Sequence, residues 1–170
     1  MLRGNIEELL SLEADMTLLD VGGGTGALVA PLADQCREII VLEPSARQRE
    51  RGAKKHTRLK FVAGRAEALP FPGARFDRVL ASRSFHHFED QDKALEEVRR
   101  VLRPGGWLVI VEFAPRTFWG RAARFITSRS HHGHGTFFEP DALKRKLEEQ
   151  GFREIQLHIL GSLYAADARV

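Results

Sequence analysis

Apolar and polar positions along the chain switch between two periods, one suited to buried strands and one to amphipathic helices. Residues 5–13, NIEELLSLE, open on an Asn able to cap and set Ile6, Leu9, Leu10 and Leu12 near one face, predicting a short helix. The runs TLLDV (17–21), EIIVLE (38–43) and RLKFVA (58–63) then predict strands, separated by helices over TGALVAPLADQ (25–35) and SARQRERGA (45–53). RFDRVLAS (75–82) is a fourth strand, DQDKALEEVRRVL (90–102) a strongly periodic helix capped by Asp90, and GWLVIVEFA (106–114) a fifth strand. A helix over EPDALKRKLEEQG (139–151) carries Pro140 in its first turn and Gly151 beyond its end, and REIQLHIL and SLYAADARV close the chain as strands. Phe76 and Trp107 fall on strand positions expected in the core.

Parallel strands need crossover connections, so this alternation predicts a doubly wound α/β domain, Rossmann-like, with a mostly parallel sheet and helices on both faces. The length, 170 residues, suits one domain spanning 1–170, and 43% hydrophobic with 29% charged residues is a globular composition. No window approaches the roughly 18 apolar residues of a membrane span, and MLRGNIEELL lacks a signal-peptide pattern, so the expected location is the cytoplasm. The single Cys36 makes no internal disulfide and reads as a small hydrophobe.

The net charge is only +3, yet the basic residues are unevenly placed. RQRERGAKKHTRLK (47–60) fits a solvated helix face better than a nucleic-acid patch, so nucleic acid is not the expected partner. Residues 114–138 contain no acid, and TFWGRAARFITS within them sets Phe118, Ala122, Phe125 and Ile126 on one helical stripe flanked by Arg121 and Arg124. The commoner outcome for such a stripe is a helix packed on the sheet edge. The functional alternative is a lid over a substrate that is anionic or membrane-associated, with Arg83 nearby in agreement. HHGHG (131–135) has neither Cys nor a nearby carboxylate, and no metal site is expected.

The chemistry is concentrated in LLDVGGGTGALVA (18–30), where a glycine loop follows the first strand. Backbone N–H groups in such a loop can approach an anionic or polar ligand. Gly22, Gly24 and Ala27 also satisfy the G-x-G-x-x-(G/A) pattern of dinucleotide sites, so the loop alone leaves an NAD-dependent oxidoreductase open. Asp20 argues against that alternative. A carboxylate two residues ahead of the first glycine can fix the loop or reach a ligand's ammonium group, and it would repel a pyrophosphate. Gly26 makes the tighter G-x-G-x-G, and Glu43 closes the second strand, where a carboxylate can accept bonds from both hydroxyls of a ribose.

LLDVGGGTG, VLEPS, AEALPF, FDRVLASRSFHHF and LRPGG together resemble class I S-adenosylmethionine-dependent methyltransferases of the ubiquinone/menaquinone-biosynthesis-like group, methyltransferase type 11, densely over residues 6–113. The resemblance implies a seven-stranded sheet with its last strand antiparallel, and S-adenosylmethionine as cofactor with S-adenosylhomocysteine as product. It implies that Asp20, Gly22, Gly23, Gly24 and Gly26 hold the methionine end, and that Glu43, beside Pro44, holds the ribose. Gln48 would sit over the adenine, Ala66 and its neighbours along the adenine edge, and Ser82 beside the methyl group. The family usually has an acid where Arg65 stands; an arginine has no acceptor to offer the adenine amino group, which leaves Glu67 as a substitute. His86 and His87 follow the fourth strand, where relatives address the substrate, and are candidates for either loop fixation or proton removal. The expected function is methyl transfer to a small-molecule acceptor. The alternative from another class is a cofactor-binding module without catalysis. Peripheral membrane contact and a homo-oligomer are both left as alternatives; with almost nothing before Asn5, either the substrate site is open or a neighbouring chain closes it.

Overall fold

A computed structural model describes residues 2–114 and 136–170. Seven strands form one sheet in the order β3-β2-β1-β4-β5-β7-β6. They are β1 (Thr17–Val21), β2 (Glu38–Leu42), β3 (Lys60–Val62), β4 (Phe76–Ser82), β5 (Leu102–Phe113), β6 (Arg153–Leu160) and β7 (Leu163–Arg169). β1 lies parallel to β2 and β4, β2 to β3, and β4 to β5, while β7 runs antiparallel between β5 and β6. The doubly wound sheet and its antiparallel last strand are as expected. The chain runs outward from β1 to β3 and then crosses back to β4 beside β1. The C-terminal ends of β1 and β4 therefore flank the switch point where such sheets open a crevice.

Four α-helices accompany the sheet among the described residues: α1 (Leu2–Leu10), α2 (Ala46–Lys55), α3 (Gln91–Val101) and α4 (Pro140–Glu149). Asp90 caps α3 by accepting the N–H of Lys93 at 3.0 Å, and Ser45 caps α2 through Gln48 N–H at 3.4 Å. Leu95, Val98 and Val101 of α3 pack with Phe76, Val79 and Leu108 on one face of the sheet. Ile6 and Leu10 of α1 pack with Leu18, Ile39, Leu80 and Val109 on the other. The buried Arg78 guanidinium donates to the carbonyls of Leu10 at 2.6 Å and Ser11 at 3.5 Å, tying the open end of α1 to β4.

Three sequence expectations are corrected. Residues 25–35 form no α-helix: Ala30 N–H reaches Gly26 carbonyl at 2.9 Å for one turn, and a short 3-10 helix, Ala30–Leu32, follows. Pro31 is the physical reason, because its ring lacks an N–H and crowds the carbonyl four residues earlier. β5 begins at Leu102 and not at Gly106, since Leu102 already pairs with Phe76 and the Arg-Pro-Gly-Gly stretch forms an irregularity before the Arg78–Trp107 pair. Trp107 is half-buried and not in the core. Its ring lies between the guanidinium groups of Arg78 and Arg169, 4.5 and 4.7 Å from its centroid.

Candidate functional site

Two cavities open at the switch point. The first, about 510 Å³, is lined by Asp20, Gly22–Gly24, Ser82, Arg83, His86, His87 and Phe113, among others. The second, about 390 Å³, has walls that include Leu42, Glu43, Pro44, Arg65, Ala66, Glu67, Ser84 and Phe88. Gly22, Arg83 and His87 border both.

The glycines divide into different roles. Gly22 has φ +71° and faces Ser84, whose Cβ would lie 2.7 Å from an added methyl; the Ser84 hydroxyl in turn donates to Val21 carbonyl at 2.7 Å. Gly23 roofs Asp20, with the carboxylate Oδ2 only 2.2 Å from where a Cβ would stand. Gly26 lines neither cavity; its would-be Cβ meets Leu59 at 2.6 Å, so it serves close packing beneath the loop. This separates it from the three glycines that line the first cavity.

Asp20 sits near the C-terminal end of β1, 1% exposed, and its Oδ2 has no hydrogen-bond partner among the described residues. Burial, and secondarily the negative charge of Glu43, push its pKa up to about 7. Glu43 is differently provided for: Oε2 accepts the N–H of Gly24 at 3.0 Å and Oε1 that of Ser45 at 2.9 Å. Each oxygen keeps a lone pair for a further donor. The carboxylate thus braces the glycine loop against the end of β2 while facing the second cavity.

The Ser82 hydroxyl at the end of β4 is buried without a partner among the described residues. Arg83 follows with φ +54°, the left-handed region that a non-glycine residue adopts at a cost of about 1–2 kcal/mol, while its N–H donates to Val111 carbonyl at 2.7 Å. The reversal turns the chain away from β4 and sets Arg83 at the junction of the two cavities.

Arg65 and Glu67 are committed to each other and to the adjoining loop. Arg65 Nη2 lies 2.7 Å from Glu89 Oε1 and its Nε 3.5 Å from Glu67 Oε2, while Glu67 Oε1 accepts the backbone N–H of Glu89 at 2.7 Å. The ion pair with Glu89 raises the Arg65 pKa further. Gln48 lines neither cavity; it lies on the first turn of α2, its amide 4.0 Å from a Cβ built on Gly24.

His86 and His87 occupy a single 3-10 turn, Phe85–His87, with their ring centroids 4.0 Å apart. His86 is buried, and its Nδ1 lies 2.7 Å from Glu112 Oε2 on β5. The acid drew no notice in the sequence. The available signal was a lone charge inside LVIVEF, an apolar run on a central strand, where a carboxylate is costly unless paired. The apolar stripe at 118–126, most of the expected lid at 114–138, and HHGHG lie outside the described residues. Among the described residues no group of His, Cys, Asp or Glu could hold a metal ion, and no helix is long and apolar enough to cross a membrane.

A family model described as a methyltransferase domain matches residues 19–110, more than half of the chain. The demethylmenaquinone methyltransferase of Renibacterium salmoninarum is 39% identical over 101 residues, 59% of this chain and 43% of that protein. The enzyme of the same name from Thermus thermophilus is 31% identical over 170 aligned positions, covering 84% of this chain and 77% of its own length. The chain therefore spans less than half of the first relative and about three quarters of the second. A solved S-adenosylmethionine-dependent methyltransferase from Aquifex aeolicus superposes with a TM-score of 0.81 at 17% identity, over 99% of this chain and 89% of that one, a likeness of fold. The matched segment runs from β1 through the glycine loop, β2, β4 and into β5, and so contains the ends of β1, β2 and β4 that border the two cavities: the chain belongs to the methyltransferase domain family.

Proposed function

We propose that the chain binds S-adenosylmethionine across the two cavities and transfers its methyl group to a small-molecule acceptor. The observation that carries this reading is Asp20, a buried carboxylate whose Oδ2 has no partner among the described residues, on the floor of the first cavity. An ammonium group would supply the missing partner, whereas a pyrophosphate would be repelled. The donor set fits the rest of the cofactor. Gly22, Gly23 and Gly24 leave room for close approach of the methionine end, Glu43 retains acceptor capacity for a ribose, and Ala66 with Phe88 offers apolar walls for a purine in the second cavity. The Ser82 hydroxyl is a further unpartnered polar group in the first cavity.

The cofactor supplies an electrophilic methyl group on a sulfonium that needs no activation by the protein. The chain's own residues would align the acceptor, exclude water and, where the acceptor starts protonated, take up its proton. His86, whose Nδ1 lies 2.7 Å from Glu112 Oε2, is the candidate for that proton. The names of the relatives favour a naphthoquinol-type ring as acceptor. Arg83, exposed at the junction of the two cavities, suits an anionic or ring-bearing substrate that enters from solvent.

Calorimetry with S-adenosylhomocysteine and with NAD tests the cofactor: tight binding of the first and none of the second is expected, and the reverse sinks the reading. Transfer of labelled methyl to a short-chain demethylated naphthoquinol tests the acceptor class.

A further inference from the structure

From the contact between β5 and the turn after β4 we infer that Glu112 is a positioning residue that holds His86 in the tautomer whose Nε2 accepts a proton from the methyl acceptor. The inference rests on the methyl-transfer reading above and deepens it. Glu112 has one carboxylate oxygen for each N–H of His86: Oε1 accepts the backbone N–H at 3.3 Å and Oε2 lies 2.7 Å from ring Nδ1. Both side chains are 4% exposed. A buried carboxylate can only accept, so Nδ1 carries the ring hydrogen and Nε2 keeps its lone pair.

The ring is also held in orientation. Phe137 stacks on it with centroids 4.2 Å apart and planes 20° from parallel. Gln91 Nε2 bridges the carbonyls of Phe85 at 3.1 Å and Thr136 at 3.3 Å, joining the histidine turn to the segment that carries Phe137. Among the described residues, the titratable groups beside the pair include His87 on the same turn and Tyr164 on β7, the cross-strand neighbour of Glu112. The Tyr164 hydroxyl is spoken for by Phe138 carbonyl at 2.9 Å, and burial together with the charges of Glu112 and Glu139 keeps it protonated. Tyr164 therefore does not compete as the base.

His86 shares the first cavity with Asp20 and Ser82, and hence with the proposed methionine end. The proton would pass from the acceptor to Nε2, its bonding pair staying on the acceptor as the nucleophile; the resulting imidazolium is neutralised by Glu112 and releases its proton to solvent afterwards. The substrate class this implies is one that begins protonated at or beside the reacting atom, such as a hydroxylated aromatic ring, and not an amine that already carries a free lone pair.

The Glu112→Gln variant gives the sharpest test, because the two ends of its side chain are no longer equivalent. The backbone N–H of His86 needs the amide oxygen, which leaves the NH2 facing Nδ1 and reverses the ring tautomer. Nitrogen-15 spectra of the histidine side chains, at a pH where the His86 ring is neutral and with His86 assigned by its Asn variant, should show hydrogen on Nδ1 in the wild-type protein and on Nε2 in Glu112→Gln. A wild-type ring with its hydrogen on Nε2 overturns the inference. With a demethylated prenyl naphthoquinol as probe, Glu112→Gln should lower kcat by about 100-fold or more while KM and S-adenosylhomocysteine affinity stay within about threefold. A reversed tautomer with unchanged kcat also overturns the inference, whereas absence of S-adenosylhomocysteine binding by the wild-type protein overturns the methyl-transfer reading instead. Should the wild-type protein bind the homocysteine product but leave the probe unmethylated, the acceptor class falls and the spectra alone decide the tautomer.

Discussion

The Asp20 carboxylate lies directly under Gly23, so closely that a methyl on Gly23 would meet Oδ2 at 2.2 Å and Val41 Cγ1 at 2.8 Å. Neither neighbour is the free end of a long side chain, so Gly23→Ala must displace the loop. Overpacking of this kind costs about 1–3 kcal/mol. The melting temperature should fall by several degrees and calorimetric S-adenosylhomocysteine binding should be lost; a variant with wild-type affinity would show that the loop does not hold the ligand.

Asp20 also makes a pH prediction whose sign follows from its raised pKa, about 7 against 3.8 in a model peptide. Between those values the folded chain binds more protons than the unfolded one, so the stability of the ligand-free protein should decrease as pH rises from about 4 to 7, by at most about 1.4 kcal/mol per unit from this group. Binding of a cationic ligand favours the carboxylate. Uptake of S-adenosylhomocysteine near pH 6 should therefore release a proton, seen as a buffer-dependent calorimetric enthalpy, and Asp20→Asn should remove that dependence. Identical enthalpies in buffers of different ionisation heat would mean that Asp20 does not change charge.

Glu43 holds the loop from one side and faces the second cavity from the other. Glu43→Ala removes the acceptor for Gly24 N–H together with the proposed ribose acceptor, each a charge-assisted bond of about 1.5–3 kcal/mol. Affinity for S-adenosylhomocysteine should drop at least tenfold. Unchanged affinity would reject the ribose assignment.

For Gly26 the expected effect is on stability. Its positive φ and the contact with Leu59 make Gly26→Ala destabilising by about 2–4 kcal/mol, as strain and overpacking add. Because Gly26 lines neither cavity, the surviving folded fraction should bind cofactor within a few-fold of the wild-type protein. Denaturant titration with and without S-adenosylhomocysteine separates the two effects.

Arg65→Ala tests the departure from the family pattern. The arginine is half-exposed, and its close partner at 2.7 Å is the exposed Glu89, with the more buried Glu67 farther off at 3.5 Å, so its removal should change the melting temperature by no more than about 2 °C. A drop in cofactor affinity beyond about tenfold would give Arg65 a direct role at the ligand.

The strands themselves and the cavity-bordering strand ends were legible because each rests on a local pattern: β1 and β2 are short, mainly apolar runs, β4 carries an apolar stretch over Val79–Ala81, and the chain at their ends carries Asp20, Glu43 and Ser82. The helix expected over 25–35 failed where one local rule met another, the apolar period of Leu28, Val29 and Leu32 against Pro31. Trp107 misled for a similar reason, since an aromatic on a strand reads as core until Arg78 and Arg169 are seen to enclose it. Glu112 was illegible because its meaning lies in a partner 26 residues away, across a strand pair that periodicity does not specify.

With the cofactor across both cavities as proposed, the division of the crevice at Gly22, Arg83 and His87 would make recognition bipartite. Each half of an adenosyl amino acid would meet only its own pocket, so adenosine alone and methionine alone should bind weakly. Joined through one sulfur, the second half docks at an effective concentration set by a short tether, and the affinity of the whole can exceed either part by orders of magnitude. The crevice then measures the intactness of the cofactor, a chelate whose strength disappears as soon as the bond between its two ends is cut.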